Sequence, residues 1–373
     1  MDDVGVMMFN NVYKDKKVLI TGNTGFKGSW LTTWLLKLGA DVVGVSKDVP
    51  TNPSMFVKLR LESKVKHYQE DIRDLDKMIE IVSNESPDFL FHLAAQPIVS
   101  KSYTNPIETI TSNVIGTTNI LESLVASNHN CVAIMITSDK AYDNVEQVWG
   151  YRENDSMGGK DVYSGSKGAA ELIIKSYYHS FFNKDDCNVR IAIGRAGNVI
   201  GGGDWAADRI VVDCMEAWSK SEIVEVRNPN ATRPWQHVLE PLSGYLNLGQ
   251  ILLNDEALNG EGFNFGPRSE QNQTVEQLLK DLSEFWDFIS LDEAYTITDI
   301  IPFHEAGLLK LNCDKVLSHF GWQASMEYKD TIKFTGEWYY DFYNSNKDIF
   351  EKTMEQILEY ENIAKDQKLK WTE

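Results

Sequence analysis

The chain has 373 residues, 42% hydrophobic and 24% charged, which suits a folded protein of about two domains and excludes a low-complexity or disordered polymer. Its formal charge of −19 repels phosphodiester backbones and anionic lipid, so nucleic acid and membrane surfaces are excluded as partners. A phosphorylated ligand would need a local positive site.

In chain order, the opening Met1-Asp2-Asp3-Val4 lacks the basic-then-apolar pattern of a secretory leader, and a cytoplasmic location is expected. Short β-rich runs follow at Lys17–Ile20, Val42–Val45, Phe89–Leu93, Ala133–Ile136 and Val189–Ile193, none approaching the ~20 apolar residues of a bilayer span. Segments of helical period, Gly28–Leu38, Ile107–Ala126 and Ser164–Phe182, lie between them. Alternation of this kind predicts βαβ units: an α/β fold with a Rossmann-type doubly wound parallel sheet, helices on both faces, over 12–194. After Arg195 the pattern becomes glycine- and proline-rich, as in Gly201-Gly202-Gly203 and Asn228-Pro229-Asn230, and a smaller α/β substrate domain is expected over 195–345. The amphipathic stretch 236–253 is expected to return to the first domain, and 346–373 reads as a solvated C-terminal helical segment. Cys131, Cys187, Cys214 and Cys313 form no CxxC pair and the histidines no HxxxH, so no metal is expected and the thiols read as buried and free.

Directly after the first strand, Gly22-Asn23-Thr24-Gly25-Phe26-Lys27-Gly28 puts three glycines where strand turns into helix. A turn without Cβ, a backbone able to approach a pyrophosphate and a helix N-terminus with unpaired N–H groups together predict dinucleotide binding at Gly22, Asn23, Gly25, Phe26, Lys27 and Gly28. The Gly-x-x-Gly-x-x-Gly spacing resembles the extended short-chain dehydrogenases. At the end of the second strand, Ser46 suits a ribose hydroxyl of NAD, whereas Lys47 equally suits the 2′-phosphate of NADP. These residues leave that choice open.

Thr137-Ser138-Asp139-Lys140 ends the fifth strand, Tyr163 follows 25 residues after Ser138, and Lys167 lies four further on, on the same helical face as Tyr163. A phenol ionising near ~10 is a poor base at neutral pH, and a neighbouring ammonium reinforced by a nicotinamide cation would lower it. Asp139 beside Lys140 offers an acid and a base, which removal of water across C5 and C6 of a 4-keto sugar requires. A strand-end salt bridge is the plainer account of that pair.

The segments Thr21–Trp30, Thr137–Tyr142, Trp149–Asn154, Met157–Gly159, Gly197–Trp205 and Arg233–Val238 resemble the nucleotide-sugar 4,6-dehydratases, most of all those acting on CDP-glucose. Those carry Asp-Lys where the dTDP- and GDP-sugar enzymes typically carry Asp-Glu. Ala141, Lys160 and Val162 depart from the pattern. The resemblance implies bound NAD, with Tyr163, Ser138 and Lys167 in C4 oxidation, Lys140 taking the C5 proton and Asp139 protonating the leaving C6 hydroxyl. It further implies Asp71, Ile72, Ala94, Ala95, Gln96 and Asn113 at the cofactor, and Gln96, Asn198, Arg209, Arg233 and Arg268 at a nucleoside-diphosphate hexose. Family members often dimerise through the 107–126 and 164–182 helices, so a homodimer or a dimer of dimers is expected. The rival functions are a 4-epimerase, which has no use for Asp139 beside Lys140, and a catalytically silent nucleotide-binding module.

Overall fold

The alternation of apolar runs with amphipathic segments builds one parallel sheet in the computed structural model, which describes residues 8–298 and 308–373 apart from 128, 227, 269 and 289. Its strands are β1 (Lys17–Thr21), β2 (Asp41–Val45), β3 (Lys66–Tyr68), β4 (Phe89–His92), β5 (Cys131–Ile136), β6 (Val189–Ala196) and β7 (Gly262–Phe265). They lie in the order β7-β6-β5-β4-β1-β2-β3, all parallel. The direction of winding reverses between β1 and β4, and this opens a crevice at their carboxyl ends.

Successive side chains of a strand point to opposite faces, so the sheet is buried twice. Val18 and Ile20 of β1 join one apolar cluster with Trp30 and Trp34 of α1 (Phe26–Lys37), while Leu19 joins another with Ile81 of α2 (Leu75–Glu85) and Ile120 of α3 (Gly116–Ser127). The two expected central helices are each interrupted. A π turn over Thr111–Ile115 precedes α3, and another over Tyr178–Phe182 ends α4 (Val162–Tyr177).

Under the sheet runs α5 (Leu239–Asn254), whose Leu242, Tyr245 and Leu246 pack in one cluster with Ile134 of β5 and Ala192 of β6. Glu240, on the same helix, is buried. Its carboxylate accepts from the N–H groups of Ser325 and Met326 at 2.9 and 2.6 Å and from the Tyr360 hydroxyl at 2.9 Å. Desolvation pushes this carboxyl up to about 7 against those donors.

The C-terminal segment corrects the sequence expectation of a solvated helix. Helix α7 (Ile349–Asp366) follows α6 (Tyr328–Asn344) and buries Ile357, Tyr360 and Ala364 completely. Its Glu361 accepts from the Trp34 indole at 2.8 Å, and Trp371 stacks on Phe9 with ring centres 5.1 Å apart. The many charged residues of α7 hid an apolar stripe that α1 needs as cover. Burying a side chain of this size stabilises by roughly 1.5–3 kcal/mol. We expect Trp371→Ala to lower the unfolding free energy by about 3–5 kcal/mol in urea titrations. Leu358→Ala, at an exposed position of α7, should stay within about 0.5 kcal/mol; equal effects would contradict this packing.

Candidate active site

The glycine loop is shaped by close approach. Gly22 has φ +79°, and a β-carbon there would lie 2.8 Å from the Ala94 nitrogen; one on Gly28 would lie 2.1 Å from the Gly22 carbonyl oxygen. The loop thus folds tightly across the ends of β1 and β4 and lets α1 start against it. Gly25 caps α1 with no side-chain hydrogen bond, and the first turn holds no acid but does hold Lys27. A cation at the positive end of a helix dipole is unfavourable by itself, so this end suits an anion.

Behind the loop, Asn23 is buried, and its side-chain oxygen accepts from the Ser46 hydroxyl at 2.9 Å. Ser46 therefore organises the loop in this structure. Lys47 pairs with Glu108 at 3.0 Å. Asp71 accepts a fork of bonds from Arg73, which holds its carboxyl below the usual range, and Ile72 packs in the core beside Gly116. Thr21 accepts from the Ala94 N–H at 3.2 Å and meets buried His92 at 2.7 Å, whose other nitrogen reaches Thr117 at 3.0 Å. Burial keeps His92 neutral, its pKa lowered to about 3.

Gln96 and Asn113 lock each other. The Gln96 N–H donates to the Asn113 side chain at 2.8 Å, and the Asn113 amide donates to the Gln96 carbonyl at 3.2 Å and to the Ser166 hydroxyl at 2.9 Å. The Gln96 side chain is engaged with Ile98 and Thr109. Both residues thereby clamp the segment after β4, which carries Ala94 and Ala95, against α4. Asn113 stands in the π turn, a distortion that aims it at this loop.

At the end of β5, Asp139 starts a short turn (Asp139–Ala141), and Ser138 donates to the Asp139 carboxylate at 2.9 Å. Helix α4 begins opposite, capped by Asp161, which accepts from the Ser164 N–H at 2.9 Å. The cap sets Tyr163 in the first turn, with its phenol facing Ser138. Asp139 is buried, and a β-carbon on Gly197 would come within 3.2 Å of its carboxylate, so the backbone beside Asn198 covers the acid. The half-buried Lys140 side chain makes no hydrogen bond or ion pair among the described residues.

Charges converge here. The Lys27 ammonium feels Arg209, Asp139, Lys167 and Asp204, and desolvation lowers it to about 8. Lys167 is likewise lowered to about 8 by burial, with Glu171 opposing. Arg209 pairs with Asp204 at 3.3 Å and also acts on Tyr163. Burial pushes the Tyr163 phenol up to about 12, while Ser138 and Arg209 oppose the rise. Protein cations alone therefore leave it protonated at neutral pH, and a further positive charge is needed to make it a base.

The structure thus gathers Gly22, Lys27, Ala94, Ser138, Asp139, Tyr163, Lys167 and Arg209 around the crevice at the carboxyl ends of β1, β4 and β5. Two other expected ligands stand on or near a separate strand pair. Arg233 belongs to a small ribbon pairing Thr232–Arg233 with Gln273–Thr274, and Arg268 is exposed close to that ribbon in the chain. Of the thiols, Cys131 and Cys214 are buried, but Cys187 and Cys313 only partly so. Among the described residues no cluster of three or more His, Cys, Asp or Glu is placed to hold a metal, and no helix is long and apolar enough to cross a membrane.

Sequence reasoning missed the buried pair Glu171–Arg195. Two signals were available: an acid four residues beyond Lys167, and an arginine inside the otherwise apolar run of β6.

Residues 19–335 match the family model described as GDP-mannose 4,6 dehydratase. A CDP-glucose 4,6-dehydratase of Salmonella typhimurium is 44% identical over 337 residues, 89% of this chain and 93% of that protein. Among solved structures, a UDP-glucose 4-epimerase of Thermotoga maritima superposes with a TM-score of 0.73 at 22% identity, covering 87% of this chain and 99% of that one. A dTDP-glucose 4,6-dehydratase of Streptomyces venezuelae, solved with NAD bound, gives 0.71 at 18% identity over 87% and 97%. The structural likenesses establish the fold alone, whereas the sequence matches run through both the glycine loop and the Ser138–Lys167 segment, and on them the chain belongs to the GDP-mannose 4,6 dehydratase family.

Proposed function

We propose that this protein is an NAD-dependent CDP-glucose 4,6-dehydratase, forming CDP-4-keto-6-deoxyglucose, the activity named for its Salmonella typhimurium relative. The observation that carries the reading is the buried Asp139 carboxylate held by Ser138 and next to Lys140, opposite Tyr163. An oxidation at C4 needs Ser138, Tyr163 and Lys167; only an elimination needs the acid and amine as well.

The residues fit the cofactor. The Gly22–Gly28 loop and the uncapped start of α1, with Lys27, would hold the pyrophosphate, Asp71 and Ile72 would flank the adenine side, and Ala94 to Gln96 with Lys167 would line the nicotinamide ribose. Lys47, engaged by Glu108, is less available to a 2′-phosphate, which favours NAD over NADP. When bound, NAD supplies a reversible hydride store and the positive charge that the buried phenol lacks.

Tyr163 takes the proton of the C4 hydroxyl, with Ser138 orienting that group. The resulting 4-ketone acidifies the C5 hydrogen. Lys140 removes it while Asp139 gives a proton to the departing C6 hydroxyl, which leaves as water; Lys140 then returns a proton to C5, and C6 takes up the stored hydride, so that the 4-keto-6-deoxy sugar forms with no net oxidation. Asn198 and Arg209 lie beside these groups and would bind the nucleotide diphosphate, extended by Arg233 and Arg268 from the ribbon.

The exposed apolar side chains Ile107, Ile110, Leu172 and Phe181 on the 107–126 and 164–182 stretches support a homodimer built on a four-helix contact. A cytoplasmic location fits the reading.

Incubation of CDP-glucose, dTDP-glucose, GDP-mannose and UDP-glucose with catalytic NAD should give loss of one water from CDP-glucose by mass spectrometry. Loss from another sugar alone would move the specificity, and unchanged masses with epimerised product would favour the 4-epimerase. Tyr163→Phe should nearly abolish C4 oxidation, whereas Asp139→Asn should retain it and slow elimination, seen as transient NADH absorbance; simultaneous loss of both steps in Asp139→Asn would remove the acid role. Light scattering should report a dimer that Ile107→Glu with Leu172→Glu converts to monomer.

A further inference from the structure

Behind the catalytic residues lies a closed polar network. Glu171 and Arg195 are wholly buried and bonded through two parallel contacts, Arg195 Nε to Glu171 Oε1 at 2.6 Å and Nη2 to Oε2 at 2.5 Å. The same Oε1 accepts from the Thr137 hydroxyl at 2.6 Å, and Thr137 immediately precedes Ser138. Arg195 continues through Nη1 to the Tyr142 hydroxyl at 2.6 Å, which donates to the Asn264 side chain at 2.8 Å. One carboxylate therefore joins the end of β5, helix α4 and strand β6.

Glu171 also stands one helical turn beyond Lys167, which stands one turn beyond Tyr163, so all three share a face of α4. We propose that Glu171 is the positioning residue of the catalytic set: it ties the Ser138 strand end to the Tyr163–Lys167 helix and supplies the anion that keeps the buried Lys167 ammonium charged. This rests on the dehydratase reading for its role in turnover but not for its effect on Lys167.

The charged surroundings of Lys167 support it. Burial already lowers this ammonium to about 8, and Glu171 is the group acting to raise it. The other titratable groups facing Lys167 are His92 of β4, kept neutral by burial, Lys27 of α1, which repels it, and Tyr163 on its own helix. Glu171 in turn faces Arg195 of β6 and the Tyr142 phenol. Without the Glu171 charge, Lys167 would lose its proton at a lower pH. Because Lys167 acts as a cation, activity should then fail at a lower pH.

The test is a titration of Lys167 by NMR of lysine 13Cε, its resonance assigned by its absence in Lys167→Arg, together with the pH profile of NADH formation in single turnover. Glu171→Gln should move the Lys167 midpoint and the alkaline limb down together by about one pH unit. Because this change leaves Arg195 buried without its partner, Glu171→Met with Arg195→Met restores an apolar filling and should keep the lowered midpoint while regaining thermal stability. Arg195→Met alone should destabilise without lowering the midpoint. A midpoint unchanged in both variants lacking Glu171 would overturn the proposal, as would an equal fall in Arg195→Met, which would make the network purely structural. If the wild-type protein dehydrates none of the four sugars while the midpoint still falls, the dehydratase reading fails and the positioning role stands.

Discussion

Every strand of the central sheet runs the same way, and the rest of the molecule follows from that constraint. A parallel sheet must be covered on both faces, so its chemistry is expelled to one edge, where the carboxyl ends of β1, β4 and β5 meet. The glycine loop, the clamp of Gln96 on Asn113 and the turn holding Ser138 and Asp139 are three successive loops on that edge. Residues far apart in the chain become neighbours there because strands of one register end together.

The second constraint is electrostatic. A chain of net charge −19 nevertheless concentrates Lys27, Lys167 and Arg209 in one partly dehydrated crevice, a local positive site on an acidic protein. Dehydration lowers both lysines, and like charges lower Lys27 further. Asp139 and Asp204 offset that cost at Lys27, and Glu171 does so at Lys167. The same dehydration raises the Tyr163 phenol, against the opposing influence of Ser138 and Arg209.

Support comes from behind. Helix α5 fills the space under β5 and β6, and its buried Glu240 fastens the Ser325–Met326 turn and Tyr360 of α7. The C-terminal aromatics Tyr360 and Trp371 then cover α1 through Trp34, the helix whose first turn holds Lys27. The C-terminal segment thus braces the helix that starts from the glycine loop.

The sequence alone determined the alternating strands and helices and the glycine loop, and it singled out Ser138, Asp139, Lys140, Tyr163 and Lys167 as candidates, because each is written in residue types and spacing along the chain. Three-dimensional packing alone decided the rest. The charged surface of α7 masked the stripe that buries Tyr360, and the loop-ordering bonds of Ser46, Gln96 and Asn113 were invisible because their partners are 23, 13 and 17 residues away. Only the fold put Glu171 against Arg195 and Thr137, and only the fold shows that burial raises the Tyr163 phenol: desolvation depends on what surrounds a group in space, and local spacing carries no record of it.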